Sequence, residues 1–322
     1  MMTSKQVSLG FIVNSPGVLS LIQDAGRYGC FNLGLSNGGP ADAQAFYWAN
    51  RLCNNALDAS AIEVSVGGLQ LTAQIDCTIA VTGAPMLLTV NGQAKPLWRS
   101  FKVKAGDNIC LGYASLGVRC YVAVTGGFDI EASFGSTATL CRENIGGLSG
   151  DKLQVHDVLP INTPSNNTKH VQQLLAEQDQ PQYANHLMLR TVQSYQYQQF
   201  STVERSLFYA NEYQVSQHWD RMGYRLEGRA IKADIEGILS EGICYGAVQV
   251  PADGQPIVLL NDRQTIGGYP KIGAVISQDC AKLSQLRQGD SVHFQAITMS
   301  EADNLFHLNL ARLQAIKLIP CD

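Results

Sequence analysis

The stretch EGICYGAVQVPADGQPIVLLNDRQTIGGYPKIG, residues 241–273, decides how this chain can fold. Residues 246–250 alternate as a strand does, and residues 256–260 form a short apolar run typical of a buried strand. Between them, Pro251 and Gly254 predict a tight turn, because proline presets φ and glycine tolerates positive φ. Residues 274–276 predict another strand. We therefore expect short strands joined by tight turns.

A polar cluster begins where the apolar run ends. The cluster and the glycine turn after it carry six side chains that could bind a polar ligand: Asn261, Asp262, Arg263, Gln264, Tyr269 and Lys271. Arg263 offers a planar fork for a carboxylate or phosphate, and Lys271 offers a point charge. Gln264, Asn261 and Tyr269 can hold an amide or ureido group. If the glycine turn brings Lys271 back towards the cluster, these groups form a binding site; a solvated hairpin loop is the alternative.

The composition limits the classes of protein that this chain can represent. It has 322 residues, enough for two domains, with 45% apolar and 16% charged residues and a net charge of −4. This balance describes a globular protein without a basic field for nucleic acid or an anionic membrane. No apolar run approaches the ~20 residues of a membrane-spanning helix.

The cysteines and histidines carry no recognisable motif. None of the nine cysteines forms a Cys-x-x-Cys pair, and the first residues lack a signal-like apolar segment, so we expect a cytoplasmic protein with reduced thiols. The six histidines show no His-x-x-x-His or His-x-His spacing, so we expect no metal site. The chain has neither a phosphate-binding P-loop nor a strand–Gly-x-Gly-x-x-Gly–helix unit for a nucleotide.

Two predicted domains follow from the distribution of strands and turns. Residues 69–124 show short strands with turns every 8–12 residues, which favours an antiparallel barrel or sandwich. Residues 162–183 are rich in Asn, Gln, Thr and Pro. We therefore predict an N-terminal domain over 1–160, a linker over 161–184 and a C-terminal domain over 185–322.

Three local predictions concern burial and capping. Glu63 lies in a strand-like segment, and we expect it on the water-facing side, because a buried unpaired charge is costly. Ser201 and Glu204 predict a capping box that begins a short helix. An amphipathic helix should end the chain, with five residues facing inward: Leu305, Phe306, Leu310, Leu313 and Ile316.

Charged or amide side chains outside the opening stretch are further candidates. Asp24 and Arg27 lie on a glycine-punctuated loop, where a structural ion pair and a role in a site are equally open. Arg221 lies beside another glycine turn, where an ion-pair network that locks the turn is favoured over ligand contact. Asn50 lies off the apolar stripe of a predicted helix, so it could bond a ligand or cap a turn.

Together these motifs resemble the allophanate hydrolase subunit 2 family, which is also a biotin-dependent carboxyltransferase family. The matching segments are Gly246-x-x-Gln249-x-Pro251-x-Asp253-Gly254-Gln255-Pro256, Asp262-Arg263-Gln264-Thr265-x-Gly267-Gly268-Tyr269-Pro270-Lys271, Asp220-Arg221-Met222-Gly223-Tyr224-Arg225 and Gln23-Asp24-x-Gly26-Arg27. The resemblance spans nearly the whole chain. It implies a mainly β protein with a few helices, built as two cyclophilin-like β-barrel domains in tandem.

The resemblance also implies a function. Members of the family include 5-oxoprolinase C subunits, so this chain is expected to belong to an ATP-dependent complex that opens the lactam of 5-oxoproline to L-glutamate. Its expected partners are the A and B subunits of that complex, the B protein being a homologue of allophanate hydrolase subunit 1. Lactam opening needs positive donors for the developing oxyanion. The expected catalytic residues are Lys271, Arg263, Asp262 and Arg221, and the expected substrate-binding residues are Gln264, Asn261, Tyr269, Asp24, Arg27 and Asn50.

Two other functions fit the same resemblance. The chain could be one half of a carboxyltransferase that moves CO₂ from carboxybiotin to urea or a related amide. Because the chain has no biotin-attachment motif, a partner would have to carry the biotin. The chain could instead be a non-catalytic module that binds a partner, since some family members are described as regulators that bind an inhibitor of a sporulation kinase.

Overall fold

The computed structural model describes residues 9–162, 171–235 and 237–321. Over these ranges the protein is mainly β with four α-helices, which confirms the predicted fold class. The strands are β1 (Gly10–Pro16), β2 (Leu19–Gln23), β3 (Ala61–Ser65), β4 (Leu69–Ala73), β5 (Cys77–Gly83), β6 (Leu88–Val90), β7 (Gln93–Lys95), β8 (Arg99–Val103), β9 (Asn108–Leu111), β10 (Arg119–Val124), β11 (Val158–Pro160), β12 (Gln173–Leu174), β13 (His186–Gln193), β14 (Glu212–Trp219), β15 (Gly223–Gly228), β16 (Glu241–Gly242), β17 (Ala247–Gln249), β18 (Ile257–Leu259), β19 (Ile266–Gly267), β20 (Lys271–Val275), β21 (Ser291–Ile297) and β22 (Ile319–Pro320).

Three of the helices have ten residues or fewer, and the longest one lies just before the last strand. The helices are α1 (Ala43–Leu52), α2 (Thr202–Ala210), α3 (Ser277–Leu283) and α4 (Met299–Ala315), with 3₁₀ turns at Phe31–Leu33, Glu177–Asp179 and Tyr197–Gln199. Ser201 caps α2 by accepting a hydrogen bond from the amide of Glu204, which is one half of the predicted capping box, whereas the Glu204 carboxylate accepts from the amide of Lys232. None of the helices in the described ranges has the length and apolar character needed to cross a membrane.

The chain divides into two compact units. The described residues of unit 1 are 9–26, 43–162, 171–181 and 318–321, and those of unit 2 are 27–42, 182–235 and 237–317. This division differs from the predicted one, because side chains of unit 2 bind the carbonyls of residues 38–40 and because β22 pairs with β12 in unit 1. Of the predicted linker, residues 163–170 lie outside the described residues, and residues 173–174 form β12.

Unit 1 consists of two sheets around one apolar core. One sheet has the strand order β11-β1-β4-β9-β6-β7, and the other has the order β2-β3-β10-β5-β8-β12-β22. Core side chains come from both sheets, for example Phe11 and Leu71 from the first and Ile62 and Val122 from the second. Alternation along each strand directs these residues inward.

Glu63 is fully buried in unit 1, so the prediction that it faces water was wrong. Its carboxylate accepts a hydrogen bond of 2.6 Å from the hydroxyl of Tyr121 and lies 3.7 Å from Nε of Arg119. Both partners come from β10, which pairs directly with β3. Partners on a neighbouring strand make the burial of this charge tolerable, and the local sequence does not reveal them.

Unit 2 is a closed barrel of seven strands in the order β13-β20-β17-β18-β15-β14-β21. The ring closes through β13 and β21, which are parallel, whereas the other neighbouring strands of the barrel are antiparallel. The predicted strands at residues 246–250, 256–260 and 274–276 correspond to β17, β18 and the end of β20. Val248 and Val258 point into the core. The alternate residues Gln249, Ile257 and Leu259 therefore face the other side of the barrel wall.

Helix α4 is amphipathic, but most of its predicted inner face is not buried. Of the five residues expected to face inward, only Leu313 is buried, whereas Phe306 is 50% and Leu310 is 40% exposed. Thr298 and Glu301 form a capping box at its first turn. Periodicity identifies an apolar stripe on a helix, but it does not show whether another element covers that stripe.

We expect Tyr121→Phe to lower the free energy of unfolding by about 1–3 kcal/mol, because it removes a hydrogen bond from a buried carboxylate. Urea unfolding at pH 7 measures this change. Tyr113→Phe is the matched control, since Tyr113 is 68% exposed and the same substitution there should change stability by less than about 0.5 kcal/mol. Equal stabilities for the two variants would contradict a stabilising role for the Tyr121–Glu63 bond.

Candidate functional site

The order of the strands separates the groups that the sequence places close together. The polar cluster follows β18, and Lys271 begins β20, but β17 lies between these two strands in the barrel. Gln249 of β17 pairs in register with Ile257 on one side and with Lys271 on the other. The strands that Arg263 follows and Lys271 begins therefore do not pair with each other, and the two side chains bond to different groups, Arg263 to Ile243 and Lys271 to Glu241.

Arg263 is buried and bound to groups of unit 2. Its Nε donates to the carbonyl of Ile243 at 3.0 Å, Nη1 to the carbonyl of Leu260 at 3.2 Å and Nη2 to Oδ1 of Asn37 at 3.1 Å. The guanidinium also lies 5.3 Å from the ring centroid of Phe31. Burial lowers the pKa of Arg263. Carbonyl dipoles and an aromatic face offset the cost of burying this charge, so the group organises the protein around it.

Arg221 and Asp262 form a buried ion pair with two parallel hydrogen bonds. Nε and Nη2 of Arg221 each lie 2.8 Å from a carboxylate oxygen of Asp262, and Nη2 also donates to the carbonyl of Gly39 at 2.8 Å. Asn261 donates to the carbonyls of Gly38 at 3.1 Å and Pro40 at 3.2 Å. This matches the favoured interpretation of Arg221 as part of an ion-pair network. These groups hold the 38–40 segment in place.

Arg27, Asp24 and Asn50 are also engaged inside their own units. In unit 2, the backbone N–H of Arg27 donates to the carbonyl of Asn37, and Nδ2 of Asn37 donates to the carbonyl of Arg27. Arg27 is 1% exposed. In unit 1, the carboxylate of Asp24 accepts from Gly26, Ser136 and Thr137 over 2.6–2.9 Å. Asn50, likewise in unit 1, donates to the carbonyl of Ala59 and accepts from Asn55, each at 2.9 Å. These contacts support structural roles.

Gln264 and Tyr269, in contrast, line an open cavity of about 740 Å³ in unit 2. We call it the amide cavity and define it by its lining residues: Gln217, His218, Trp219, Asp220, Met222, Gly223, Arg225, Gln249, Ile257, Leu259, Gln264 and Tyr269. Leu259 and Ile257 form part of its apolar floor, on the side of the barrel wall that faces away from the core. Its polar groups include three side-chain amides (Gln217, Gln249 and Gln264), the guanidinium of Arg225 and the carboxylate of Asp220, together with His218 and Tyr269.

Gln249 also lines this cavity and was not among the residues predicted from the sequence. It is 1% exposed, and its Nε2 has no hydrogen-bond partner among the described residues. A Cβ atom at position 267 would lie 2.9 Å from that nitrogen and 2.5 Å from Cδ1 of Ile243, which explains the glycine there. A buried amide donor without an acceptor is suited to a ligand carbonyl. The available signal was a glutamine between Val248 and Val250 in an otherwise apolar strand.

Lys271 lies at a second cavity of about 610 Å³ in unit 2, which we call the lysine cavity. Its lining residues are Val192, Gln193, Ser194, Tyr195, Gly242, Cys244, Lys271, Gly273, Ala274, Val275, Ile276, Ser277, Gln278, Met299, Ala302, Asp303 and Phe306. The ammonium group of Lys271 pairs with Glu241, and Nε2 of Gln196 donates to the same carboxylate oxygen at 3.1 Å. The Tyr195 ring centroid lies 5.9 Å from Nζ.

The Lys271–Glu241 pair sets the charge balance of the lysine cavity. Hydrogen bonds from Lys271 and then Tyr195 lower the pKa of Glu241. Hydrogen bonding to that carboxylate raises the pKa of Tyr195 to about 12. At neutral pH, a negative carboxylate therefore faces a positive ammonium group and a neutral phenol. An anionic ligand would have to compete with Glu241 for the lysine.

Comparison with known proteins places this geometry in context. A family model described as carboxyltransferase domain, subdomain A and B, matches residues 33–296. The chain is 35% identical to the C subunit of 5-oxoprolinase from Escherichia coli K12, over 89% of this chain and 91% of that protein. It is also 35% identical to the C subunit of the Haemophilus influenzae 5-oxoprolinase, over 92% and 94% of the two chains.

A solved structure shows the same fold. The urea amidolyase of K. lactis aligns with a TM-score of 0.89 at 24% identity, covering 96% of this chain and 20% of that enzyme. The chain therefore spans about a fifth of that protein. At this identity the likeness concerns the fold alone.

We expect Arg221→Met to lower the free energy of unfolding by about 3 kcal/mol, because it leaves the Asp262 carboxylate, which is only 14% exposed, without its cation. Arg225→Met is the matched control. Its partner Asp253 is 48% exposed, so that variant should lose at most about 1 kcal/mol. Denaturant unfolding of both variants at pH 7 measures the difference. Similar losses for the two would contradict the framework role of Arg221.

We expect Glu241→Gln to lower the free energy of unfolding by about 1–2 kcal/mol at pH 7, because Lys271 loses its charged acceptor. The folded-state pKa of Glu241 is lowered, so the stabilisation is present above the unfolded-state pKa of about 4.3 and is lost as the pH falls through the folded-state value. Unfolding measured from pH 7 to pH 3 should show the two proteins converge only at the acidic end. Convergence near neutral pH would contradict this assignment, and the exposed Glu227→Gln variant is the control.

Proposed function

The chain belongs to the carboxyltransferase-domain family, subdomains A and B, and on that premise we propose that it is the C subunit of an ATP-dependent 5-oxoprolinase. The observation that carries the proposal is the 35% identity to two 5-oxoprolinase C subunits over about nine tenths of each chain. In the reaction, the lactam C–N bond of 5-oxoproline breaks, water supplies the new carboxylate oxygen, and the nitrogen gains protons to give L-glutamate.

The amide cavity supports this substrate class. A 5-oxoproline molecule presents a carbonyl acceptor, an N–H donor and a carboxylate on a small apolar ring. The unpaired Nε2 of Gln249 can donate to the lactam carbonyl, and Gln264 can donate or accept at the amide. Arg225 pairs with Asp253 through Nη2 and can offer its remaining N–H groups to the carboxylate, while Leu259 and Ile257 would contact the ring. We therefore assign substrate binding to this cavity, with Tyr269 at its wall.

The buried predicted residues would position this cavity rather than contact the substrate. Arg221, Asp262 and Asn261 hold the 38–40 segment, and Arg263 joins Ile243 and Leu260. Gln264 immediately follows Asn261, Asp262 and Arg263 in the chain, so the hydrogen bonds of these three residues also fix the backbone position of Gln264. Bonds of this kind limit the movement of a binding group, and small displacements in an active site are costly.

Lys271 would supply positive charge in the lysine cavity. Its pairing with Glu241 leaves the ammonium group available to an anion only if the carboxylate moves or is displaced. A phosphorylated intermediate or a developing oxyanion is such an anion. We propose that ATP is hydrolysed by the complex and is held mainly by partner chains, because this sequence carries neither common nucleotide-binding motif. The proposed partners, in the cytoplasm, are the A and B subunits of the complex, of which the B protein is the homologue of allophanate hydrolase subunit 1.

The test is a reconstituted assay of the complex. The chain is co-expressed with the A and B subunits, and glutamate release from 5-oxoproline is measured with and without ATP while each protein is omitted in turn. We expect ATP-dependent glutamate that disappears when this chain is left out. A soluble, assembled complex without that activity would contradict the proposed reaction.

Two variants in the same assay test the assigned residues. Gln249→Leu should reduce kcat/KM by about tenfold or more, because a buried hydrogen bond to substrate costs ~1–3 kcal/mol to lose. Lys271→Met should reduce turnover while the complex still assembles. The control is Gln70→Leu, the same change as at Gln249 on an exposed strand position of unit 1. Wild-type turnover in both test variants would overturn the assignment of both cavities.

A second function rests on the description of the family model. Carboxyl transfer from biotin on a partner to urea or a related amide would use the same amide-binding groups. Both reactions require recognition of a planar amide, and Gln249 and Gln264 suit either one. An assembled complex that is inactive with 5-oxoproline but consumes bicarbonate with a biotinylated partner would favour carboxyl transfer. Binding of the B protein without turnover of any of these substrates would favour the regulatory alternative.

A further inference from the structure

Two histidines and a glutamate converge on the outer face of the unit 2 barrel. His186, Glu212 and His293 belong to three neighbouring strands, β13, β14 and β21, with β21 in the middle. Each offers one ligand atom, and these atoms all lie within 4.8 Å of one another. Oε2 of Glu212 is 3.6 Å from Nδ1 of His186 and 3.7 Å from Nδ1 of His293. None of the three residues lines the amide or the lysine cavity.

The register of the strands fixes this convergence. Glu212 and His293 are direct partners across β14 and β21. His186 pairs with Ser291 across β13 and β21, two residues before His293 and therefore on the same face. The three side chains are thus neighbours because of ladder hydrogen bonds, and no loop has to close to bring them together. Sites on strands hold their ligands more rigidly than sites on loops.

We propose that His186, Glu212 and His293 form a binding site for a divalent transition metal of the zinc class. Two imidazoles and a carboxylate are a donor set that zinc accepts, with water in the fourth position. Ligand atoms around tetrahedral zinc are about 3.3–3.6 Å apart for bonds of about 2.0–2.2 Å. The two distances from Glu212 are already within a few tenths of an ångström of that spacing.

A neighbouring hydroxyl can orient one of the ligands. Oγ of Ser291 lies 2.8 Å from Nδ1 of His186, and the two histidine rings are 5.3 Å apart at an angle of 66°. The distance of 3.6 Å from Glu212 is to this same Nδ1, so a metal bound at Nδ1 would displace the hydroxyl. If His186 turned to bind the metal through Nε2 instead, Ser291 could hold the opposite ring nitrogen, as partners beyond the ligands commonly do. Either arrangement joins the first residues of β13 and β14 to β21.

The alternative is a solvent-exposed group of side chains with no ligand. His186 is 52%, Glu212 47% and His293 31% exposed, and exposed ion pairs contribute little to stability. All three side chains are of the kinds that bind metals, and all lie on hydrogen-bonded strands. This arrangement favours a bound metal over a group of side chains without a ligand. A metal there would cross-link the parallel β13–β21 pair, where the barrel closes, and would stabilise unit 2 by binding the folded state.

The test uses the full chain after treatment with a chelator and its removal. Zn²⁺ binding is followed by calorimetry, and Co²⁺ binding by its visible absorption. We expect wild type to bind one more equivalent than His293→Ala, and both His186→Ala and Glu212→Gln to weaken that site at least 100-fold. Zn²⁺ should raise the Tm of wild type but not that of Glu212→Gln. The exposed side chains make misfolding of these variants unexpected, and the metal-free Tm of each one checks this.

His307→Ala is the matched control, because His307 faces a single carboxylate, that of Asp303, at 3.5 Å and should bind no metal tightly. The His307→Ala variant should bind Zn²⁺ with the same stoichiometry and affinity as wild type. Equal binding by wild type and His293→Ala would overturn the proposal. A Co²⁺ spectrum with thiolate charge-transfer bands that persists in all three ligand variants would overturn it as well, since it would place the metal on cysteine.

Discussion

The organisation of unit 2 depends on the hydrogen bonds of the buried Arg221 guanidinium. This group makes two hydrogen bonds to Asp262 and one to the carbonyl of Gly39. One charged group thereby joins the turn before β15, the turn after β18 and a segment that lies far away in sequence. Because a buried charge without its partners is costly, these three segments have essentially one stable arrangement. Arg263 strengthens the same arrangement through its bonds to main-chain carbonyls.

This framework explains why the most conspicuous charges of the polar cluster do not line the amide cavity. Arg221, Asp262 and Arg263 are used inside the protein, where they determine the path of the chain. The residues left at the amide cavity, such as Gln249 and Gln264, are neutral amides. Neutral donors and acceptors cost less to desolvate than charges do, so these amides can offer hydrogen bonds inside the cavity at a lower cost than buried charges would.

The two cavities of unit 2 have different electrostatic characters. The amide cavity combines three neutral amides with Arg225 and Asp220, whereas in the lysine cavity the charge of Lys271 is matched by Glu241. Opening a lactam and transferring a carboxyl group both require recognition of a planar amide and stabilisation of a negative oxygen. The division of these tasks between neutral and charged groups is consistent with either chemistry of the family.

Local patterns were enough to predict the mainly β character, the strands around residues 247–249 and 257–259, and the Ser201 helix cap, because alternation, turn residues and capping act over a few neighbouring positions. Contacts between distant segments bury Glu63 and place β17 between β18 and β20. These contacts also decide which residues face a cavity and which histidines meet a glutamate. Strand order and register depend on pairings between distant segments, and local periodicity carries no information about them.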